Sequence, residues 1–354
     1  MLRIWNLLLL GLPAAFVCRL VGGPAWLIFL GAAIALLPLA RGIGIGTEHA
    51  AARLGSGLGG LLNATFGNAA ELILTILALR QGLVTLVKAS ITGSIIGNTL
   101  LIVGCAALVG GLKHGPQSFS AKAVGRHAAM MILAVSAMAV PAVFARAVRS
   151  EFLREEVSVG VSILLLATYG AYIHYSYFSR DARRGGGERT ESGDSSRHAW
   201  PVKKSVGLLG AAVLGTVAAS ELLVGSVEAV SHALGLSEFF LGLVVIPIVG
   251  NVAEHYSAID FARRGRMDLA LSIAANSSTQ IAVFVAPLLV LVSLLFHPMN
   301  LVFATIELAA LSFSAALFAY VCLDGETNWL EGVQLLAVYA VSAVAFFFLP
   351  GGGR

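Results

Sequence analysis

A chain of 354 residues, 58% of them hydrophobic and 12% charged, lacks the polar surface that a water-soluble domain of this size needs. Its net charge of +4 comes from basic residues scattered between apolar stretches, with no basic–aromatic clusters of the kind that stack bases, so nucleic acid is excluded as a partner and the lipid bilayer is the expected one. Cys18, Cys105 and Cys322 stand far apart in apolar sequence, which argues against a disulfide framework or a thiolate metal site.

A membrane-spanning helix needs about 20 mostly apolar residues. Eleven such spans are predicted, over 4–21, 24–54, 57–80, 86–112, 119–146, 156–179, 202–234, 238–262, 268–296, 299–322 and 329–349. Arg3 and the apolar run from Trp5 to Val17 resemble a cleaved signal peptide, but another span follows at once, which favours an uncleaved first helix. The second span carries Gly42, Gly44 and Gly46, where a bend or break is expected. The only long hydrophilic stretch, Arg180 to Lys204, holds three consecutive glycines, several serines and mixed charge, and reads as a linker. The predicted organisation is an N-terminal helix (1–22), a five-helix unit (23–180), a cytoplasmic linker (181–201) and a second five-helix unit (202–350).

Basic residues orient the spans. With a cytoplasmic N-terminus, that side receives fifteen Lys and Arg residues and the other seven, with Arg41 unassigned. The short loops 235–238 and 297–299 fall on the outer side and carry no Lys or Arg, in agreement.

Gly67-Asn68-Ala69-Ala70-Glu71 recurs as Gly250-Asn251-Val252-Ala253-Glu254, 183 residues later. The same offset pairs Arg80 with Arg263, Gly82 with Gly265, Leu86 with Leu269 and Ser94 with Ser277. Five spans per half is an odd number, so the two copies enter the membrane in opposite directions, as in transporters built on inverted repeats with interrupted helices. Gly67 opens the first motif, and Pro247 with Gly250 opens the second. Proline removes a helical donor and frees a carbonyl.

Asn68 and Glu71 lie three residues apart, as do Asn251 and Glu254, so on a helix each pair shares a face. Ser94 with Asn98, and Ser277 with Gln280, share faces on the following helices. Together these side chains offer two carboxylates, amides and hydroxyls, an oxygen-only set that suits a hard divalent cation such as Ca2+ and disfavours thiophilic metals. Without a cation, two poorly solvated carboxylates favour protons, so Ca2+ and H+ compete for one site. Ionisable residues inside spans are expensive and point to function.

These residues resemble the calcium/proton antiporters of the cation/calcium exchanger superfamily. Leu61 to Gly104 is similar to that family's first signature and Val245 to Pro287 to its second; "DGETNWLEG" (Asp324 to Gly332) and "FFFLP" (Phe346 to Pro350) also match. The resemblance implies an all-α integral membrane fold of eleven helices, one N-terminal helix plus two inverted five-helix repeats, and Ca2+ export driven by a proton gradient. It implies Glu71 and Glu254 as central ligands, with Asn68, Asn251, Ser94, Ser277 and Gln280 lining the site. Glu48 matches a glutamate on the cation path, and Glu228 holds the comparable place in the second half; Glu221, seven residues earlier, is expected on the same helix face. Ca2+ is then transported substrate and H+ counter-ion, with no cofactor and no catalytic residue.

Two positions depart from the family, which often has Thr where Ala70 stands and Gly where Asn276 stands, and the linker is net positive where the family commonly has an acidic segment. His255 matches the family but points about 100° away from Glu254, which suits an orienting or pH-sensing group better than a ligand. Glu307 lies beyond either motif, with lining of the pathway one reading of it. Arg80 and Arg263 read as snorkelling anchors, and Asp324, Glu326 and Glu331 as a solvated cytoplasmic loop. Alternatives are a Na+-coupled Ca2+ exchanger or a Na+(K+)/H+ antiporter of the same fold, and a passive channel. An intramembrane hydrolase is disfavoured because no HExxH motif and no Gly-x-Ser-x-Gly with a plausible histidine is present. Short tails and an Ala/Gly/Arg-rich composition suggest a prokaryotic plasma membrane.

Overall fold

The computed structural model describes Trp5 and residues 7–148, 150–178 and 200–349. Residues 181–199 of the predicted linker therefore lie outside the described residues. The chain forms α1 (Gly11–Leu20), α2 (Ala25–Phe66), α3 (Ala69–Arg80), α4 (Val84–His114), α5 (Ala121–Ala147) and α6 (Glu151–Ile173), the last continued by a π-helical turn at His174–Phe178. It resumes with α7 (Val202–Val224), α8 (Val227–Leu234), α9 (Glu238–Gly250), α10 (Val252–Arg263), α11 (Met267–Ser293), α12 (Thr305–Val321) and α13 (Trp329–Phe347). A short antiparallel ribbon pairs β1 (Gln117–Ser118) with β2 (Glu326–Thr327), Gln117 opposite Thr327.

Among the described residues seven helices are long and apolar enough to cross a membrane, or eight spans if α8 and α9, bent by 115° at their break, count as one. The predicted spans 202–234 and 238–262 are each divided. The first breaks at Gly225–Ser226 and the second at Asn251, because hydropathy reads through a turn whose flanks are both apolar. The last of the predicted acidic loop also differs. Asp324 and Glu326 are exposed, but Glu331 is half-buried in the first turn of α13, its Oε1 accepting a hydrogen bond from Asn328 Nδ2 at 3.1 Å.

The expected break at Gly42, Gly44 and Gly46 is not there; α2 is helical through all three. Two of these glycines let α7 approach instead. A Cβ on Gly42 would lie 3.1 Å from Ala212 Cβ, and one on Gly46 would lie 3.0 Å from Leu209 Cβ. The bend in α2 comes later. A Cβ on Gly59 would sit 2.5 Å from the Ala51 carbonyl oxygen, whereas residues eight apart on a straight helix are separated by about 12 Å.

The chain packs as two compact units, each drawing on both halves of the sequence. The first comprises Met1–Leu77, Ala167–Leu234 and Val249–Ala253; the second comprises Ala78–Leu166, Gly235–Ile248 and Glu254–Arg354. In the first unit α2 packs along α7 and α1. In the second, α4 is the central element, in contact with α9, α11, α12 and α13, and α5 packs on α11 and α12.

The 183-residue register extends into the helices. α3 and α10 are each twelve residues long and start and end at matched positions. Each is followed by a left-handed glycine, Gly82 (φ +79°) and Gly265 (φ +76°). In the second unit each of these glycines packs on a histidine from the other half: Gly82 on His297 and Gly265 on His114, which are also 183 residues apart. His114 Nε2 and Lys113 Nζ both donate to the Arg263 carbonyl, at 3.0 and 2.9 Å, and so close the C-terminus of α10. Gly265→Ala is expected to destabilise the protein by about 1–2 kcal/mol, the cost of left-handed backbone for an L-residue. Its Cβ would stand 3.6 Å from His114, ordinary contact, so the loss is conformational rather than steric. A thermal-shift comparison with Gly210→Ala, whose Cβ meets nothing within 4 Å, isolates it.

Candidate cation site

Each motif places its glutamate at a helix start. α2 ends at Phe66, Gly67 and Asn68 form a turn, and α3 begins at Ala69, so Glu71 lies in the first helical turn. α9 ends at Gly250, Asn251 forms the turn, and Glu254 lies in the first turn of α10. The unpaired N–H groups of a helix N-terminus favour a carboxylate there.

In the first unit Asn68, Glu71 and Asn251 are buried, Glu71 with only 2% of its surface exposed. A Cβ on Gly250 would lie 3.9 Å from Glu71 Cβ, so the second motif's turn stands beside the first motif's carboxylate. Small residues make this possible. Ala69 and Ala70 pack with Ala40 and Ile43 of α2, Ala212 of α7 and Ala253 of the second motif. Glu48, Glu221 and Glu228 belong to the same unit but are exposed. The expected common face of Glu221 and Glu228 does not hold: α7 ends at Val224 and α8 begins at Val227, so no single helix carries both.

In the second unit Ser94, Asn98, Ser277 and Gln280 are buried. Asn98 Nδ2 donates to Ser277 Oγ at 2.9 Å, which joins α4 to α11 through two of the predicted lining residues. Gln280 Nε2 donates to Asn276 Oδ1 at 3.1 Å. Sequence reasoning noticed Asn276 only as a departure; its spacing of four from Gln280 was the signal that the two amides pair. Glu254 is half-buried and His255 buried.

Pro247 offers no N–H to the carbonyl of Leu243 four residues back, and a π-helical turn at Leu241–Val245 precedes it. That carbonyl lies against Gly93 of α4, so close that a Cβ on Gly93 would overlap it. Further π-helical turns interrupt α4 at Gly97–Ile102 and α11 at Ile281–Val285, within or just after the predicted lining segments. Such turns recur at functional sites. Among the described residues no group of three or more His, Cys, Asp and Glu side chains is gathered for a metal. The first unit offers the Glu71 carboxylate with the amides of Asn68 and Asn251, and the second offers the Glu254 carboxylate with the amides and hydroxyls of Ser94, Asn98, Ser277 and Gln280.

The family described as sodium/calcium exchanger protein matches residues 24–178 and, a second time, residues 204–348. The chain belongs to the sodium/calcium exchanger protein family. Members of this family are membrane antiporters, not enzymes. The resemblance carried by the two signature stretches therefore holds across the chain. A Ca(2+)/H(+) antiporter of Synechocystis sp. is 39% identical over 98% of each chain. The Ca(2+)/H(+) antiporter ChaA of Bacillus subtilis is 36% identical over 96% of this chain and 97% of its own. The solved structure of native YfkE matches with a TM-score of 0.84 and 36% identity, covering 98% of this chain and all of that one.

Proposed function

We propose that this exchanger-family chain carries Ca2+ in one direction and protons in the other, with Glu71 and Glu254 as the groups that bind either. The supporting observation is the repeated Gly-Asn-x-Ala-Glu turn. Both copies open a twelve-residue helix with the glutamate in its first turn, and the turn of the second stands beside buried Glu71. The names of the Synechocystis and Bacillus relatives agree with this reading.

Asn68, Asn251, Ser94, Ser277 and Gln280 supply neutral oxygens around the two carboxylates, a donor set matched to Ca2+. When Ca2+ leaves, protons neutralise the carboxylates in its place, and exposure of the site to alternate sides of the membrane turns that competition into exchange. Eleven spans, an N-terminal helix followed by two inverted five-helix repeats divided by residues 181–201, and a cytoplasmic N-terminus in a prokaryotic plasma membrane complete the reading. Glu48, Glu221 and Glu228, all exposed, together with buried Asn98 and His255, form the cation pathway in this reading.

The test is uptake of 45Ca2+ into proteoliposomes driven by a pH gradient alone, with Na+, K+ and Mn2+ as competitors. Collapse of the gradient is expected to stop uptake. Apparent Ca2+ affinity is expected to fall by about tenfold per pH unit for each proton displaced as the cation side is acidified. Uptake that needs a Na+ gradient instead would assign the chain to Na+-coupled exchange. Flux without any counter-ion would make it a channel.

A further inference from the structure

Glu307 is not among the residues assigned to the cation site, yet it is one of the most deeply buried acids among the described residues, with 4% of its surface exposed. It lies in the first turn of α12, within the second unit. Both of its oxygens are engaged. Oε2 accepts from the Ala304 N–H at 2.8 Å and caps α12. Oε1 pairs with the Thr92 hydroxyl of α4 at 3.2 Å. One turn earlier on the same face of α4 stands Lys88, whose Nζ donates to Asn300 Oδ1 at 2.7 Å and to the Val302 carbonyl at 2.9 Å. Asn300 Oδ1 also accepts from the Val302 N–H at 3.1 Å, so the segment leading into α12 is itself folded around the ammonium.

Position on α4 gives this network its meaning. Lys88 and Thr92 are four residues apart and share a face. Ser94 follows Thr92 by two residues, about 200° around the helix axis. One side of α4 is therefore gripped by α12 and the segment before it, and the opposite side presents Ser94, with Asn98 tied to Ser277 of α11. A helix can turn about its axis unless something off the axis resists, and Lys88, Thr92 and Glu307 supply that resistance from behind.

We infer that Glu307, through Thr92 and with Lys88, is a positioning residue that sets the rotation of α4 and thereby the placement of Ser94 and Asn98 toward the transported cation. The inference rests on the Ca2+/H+ reading above. Glu307 touches no cation; its effect passes through α4, so it governs apparent affinity rather than the presence of exchange.

A double-mutant cycle tests this in proteoliposomes, with 45Ca2+ uptake measured over a range of Ca2+ concentrations. Glu307→Ala and Thr92→Val are each expected to raise the apparent KM for Ca2+ about five- to tenfold while the maximal rate changes less than twofold. The double variant is expected to be no worse than Glu307→Ala alone, because both remove the same hydrogen bond. Glu307→Gln keeps an acceptor for the Ala304 N–H and a partner for Thr92, and is expected to restore most of the affinity. An unchanged KM in both single variants, or effects that simply multiply in the double variant, would overturn the proposal. If Glu307→Ala cannot be purified, Thr92→Val and Glu307→Gln decide the matter: a raised KM in the former and a nearly normal one in the latter support it, and a normal KM for Thr92→Val refutes it. Failure of the broader reading looks different, since wild-type protein would then show no proton-coupled Ca2+ uptake.

Discussion

Replacing Glu71 by Gln, or Glu254 by Gln, is expected to reduce pH-gradient-driven Ca2+ uptake to the background of empty liposomes, a loss of at least about 100-fold. Loss of an outer-shell partner of a metal ligand already costs about 10–100-fold, and loss of a ligand carboxylate exceeds that. Gln is close to isosteric with Glu and keeps one oxygen, so packing around buried Glu71 survives while the charge is lost. With one carboxylate gone the set of groups carries half its negative charge, too little to strip hydration from a divalent cation, and it offers one proton-binding group instead of two. The glutamine variants are expected to insert and purify as the parent does, since a neutral amide is easier to bury than a carboxylate. Size-exclusion profiles and 45Ca2+ uptake, measured on the same preparations, separate loss of transport from loss of fold. Full exchange in either variant would refute the assignment of that glutamate.

The second large effect is steric. Gly93→Ala is expected to destabilise the protein by about 3 kcal/mol or more, at the upper end of what overpacking costs. The added Cβ would overlap the Leu243 carbonyl, which Pro247 leaves without its usual helical donor. Most crowded contacts relax because a side chain can turn away, but a backbone carbonyl in a proline-constrained turn has little room to do so. Gly242, next to Leu243, faces the Leu86 carbonyl and Ala89 Cβ in turn, so α4 and α9 cross with almost nothing between their backbones. Gly97→Ala is the control: Gly97 is also buried on α4, one turn away, yet its Cβ would meet nothing within 4 Å. A sharp fall in Tm and in monodisperse yield is expected for Gly93→Ala and little change for Gly97→Ala. Equal behaviour of the two would show that α9 yields where the structure places it hard against α4.

These two substitutions differ in how much the amino-acid sequence could foretell. Glu71 and Glu254 announce themselves: a charged residue in an apolar span is rare, and the same five-residue pattern repeated 183 positions later is rarer. Gly93 does not, because it resembles Gly42, Gly44 and Gly97 in local context and only its neighbour in space distinguishes it. The expected bend or break in this span is met by a bend between Ala51 and Gly59, while the chain stays helical through Gly42, Gly44 and Gly46. A glycine in a helix can serve a bend, a close crossing or nothing, and the partner helix decides which. The shared face assigned to Glu221 and Glu228 failed on a related point, since hydropathy does not register a turn at Gly225–Ser226 between two apolar helices.

By itself the sequence determined the membrane class and the repeated motif, and it was enough to propose the two carboxylates and the oxygen-rich side chains that accompany them. All of these are carried by composition or by residues within a few turns of each other, where helix periodicity fixes which groups share a face. Only the tertiary structure decided that Glu307 reaches Thr92 across 215 residues of sequence, that Lys88 is held by Asn300, and that His114 and His297 each settle on the other half's glycine. Such contacts depend on how helices distant in the chain cross, and crossing is set by the summed packing of whole surfaces, which no local pattern encodes.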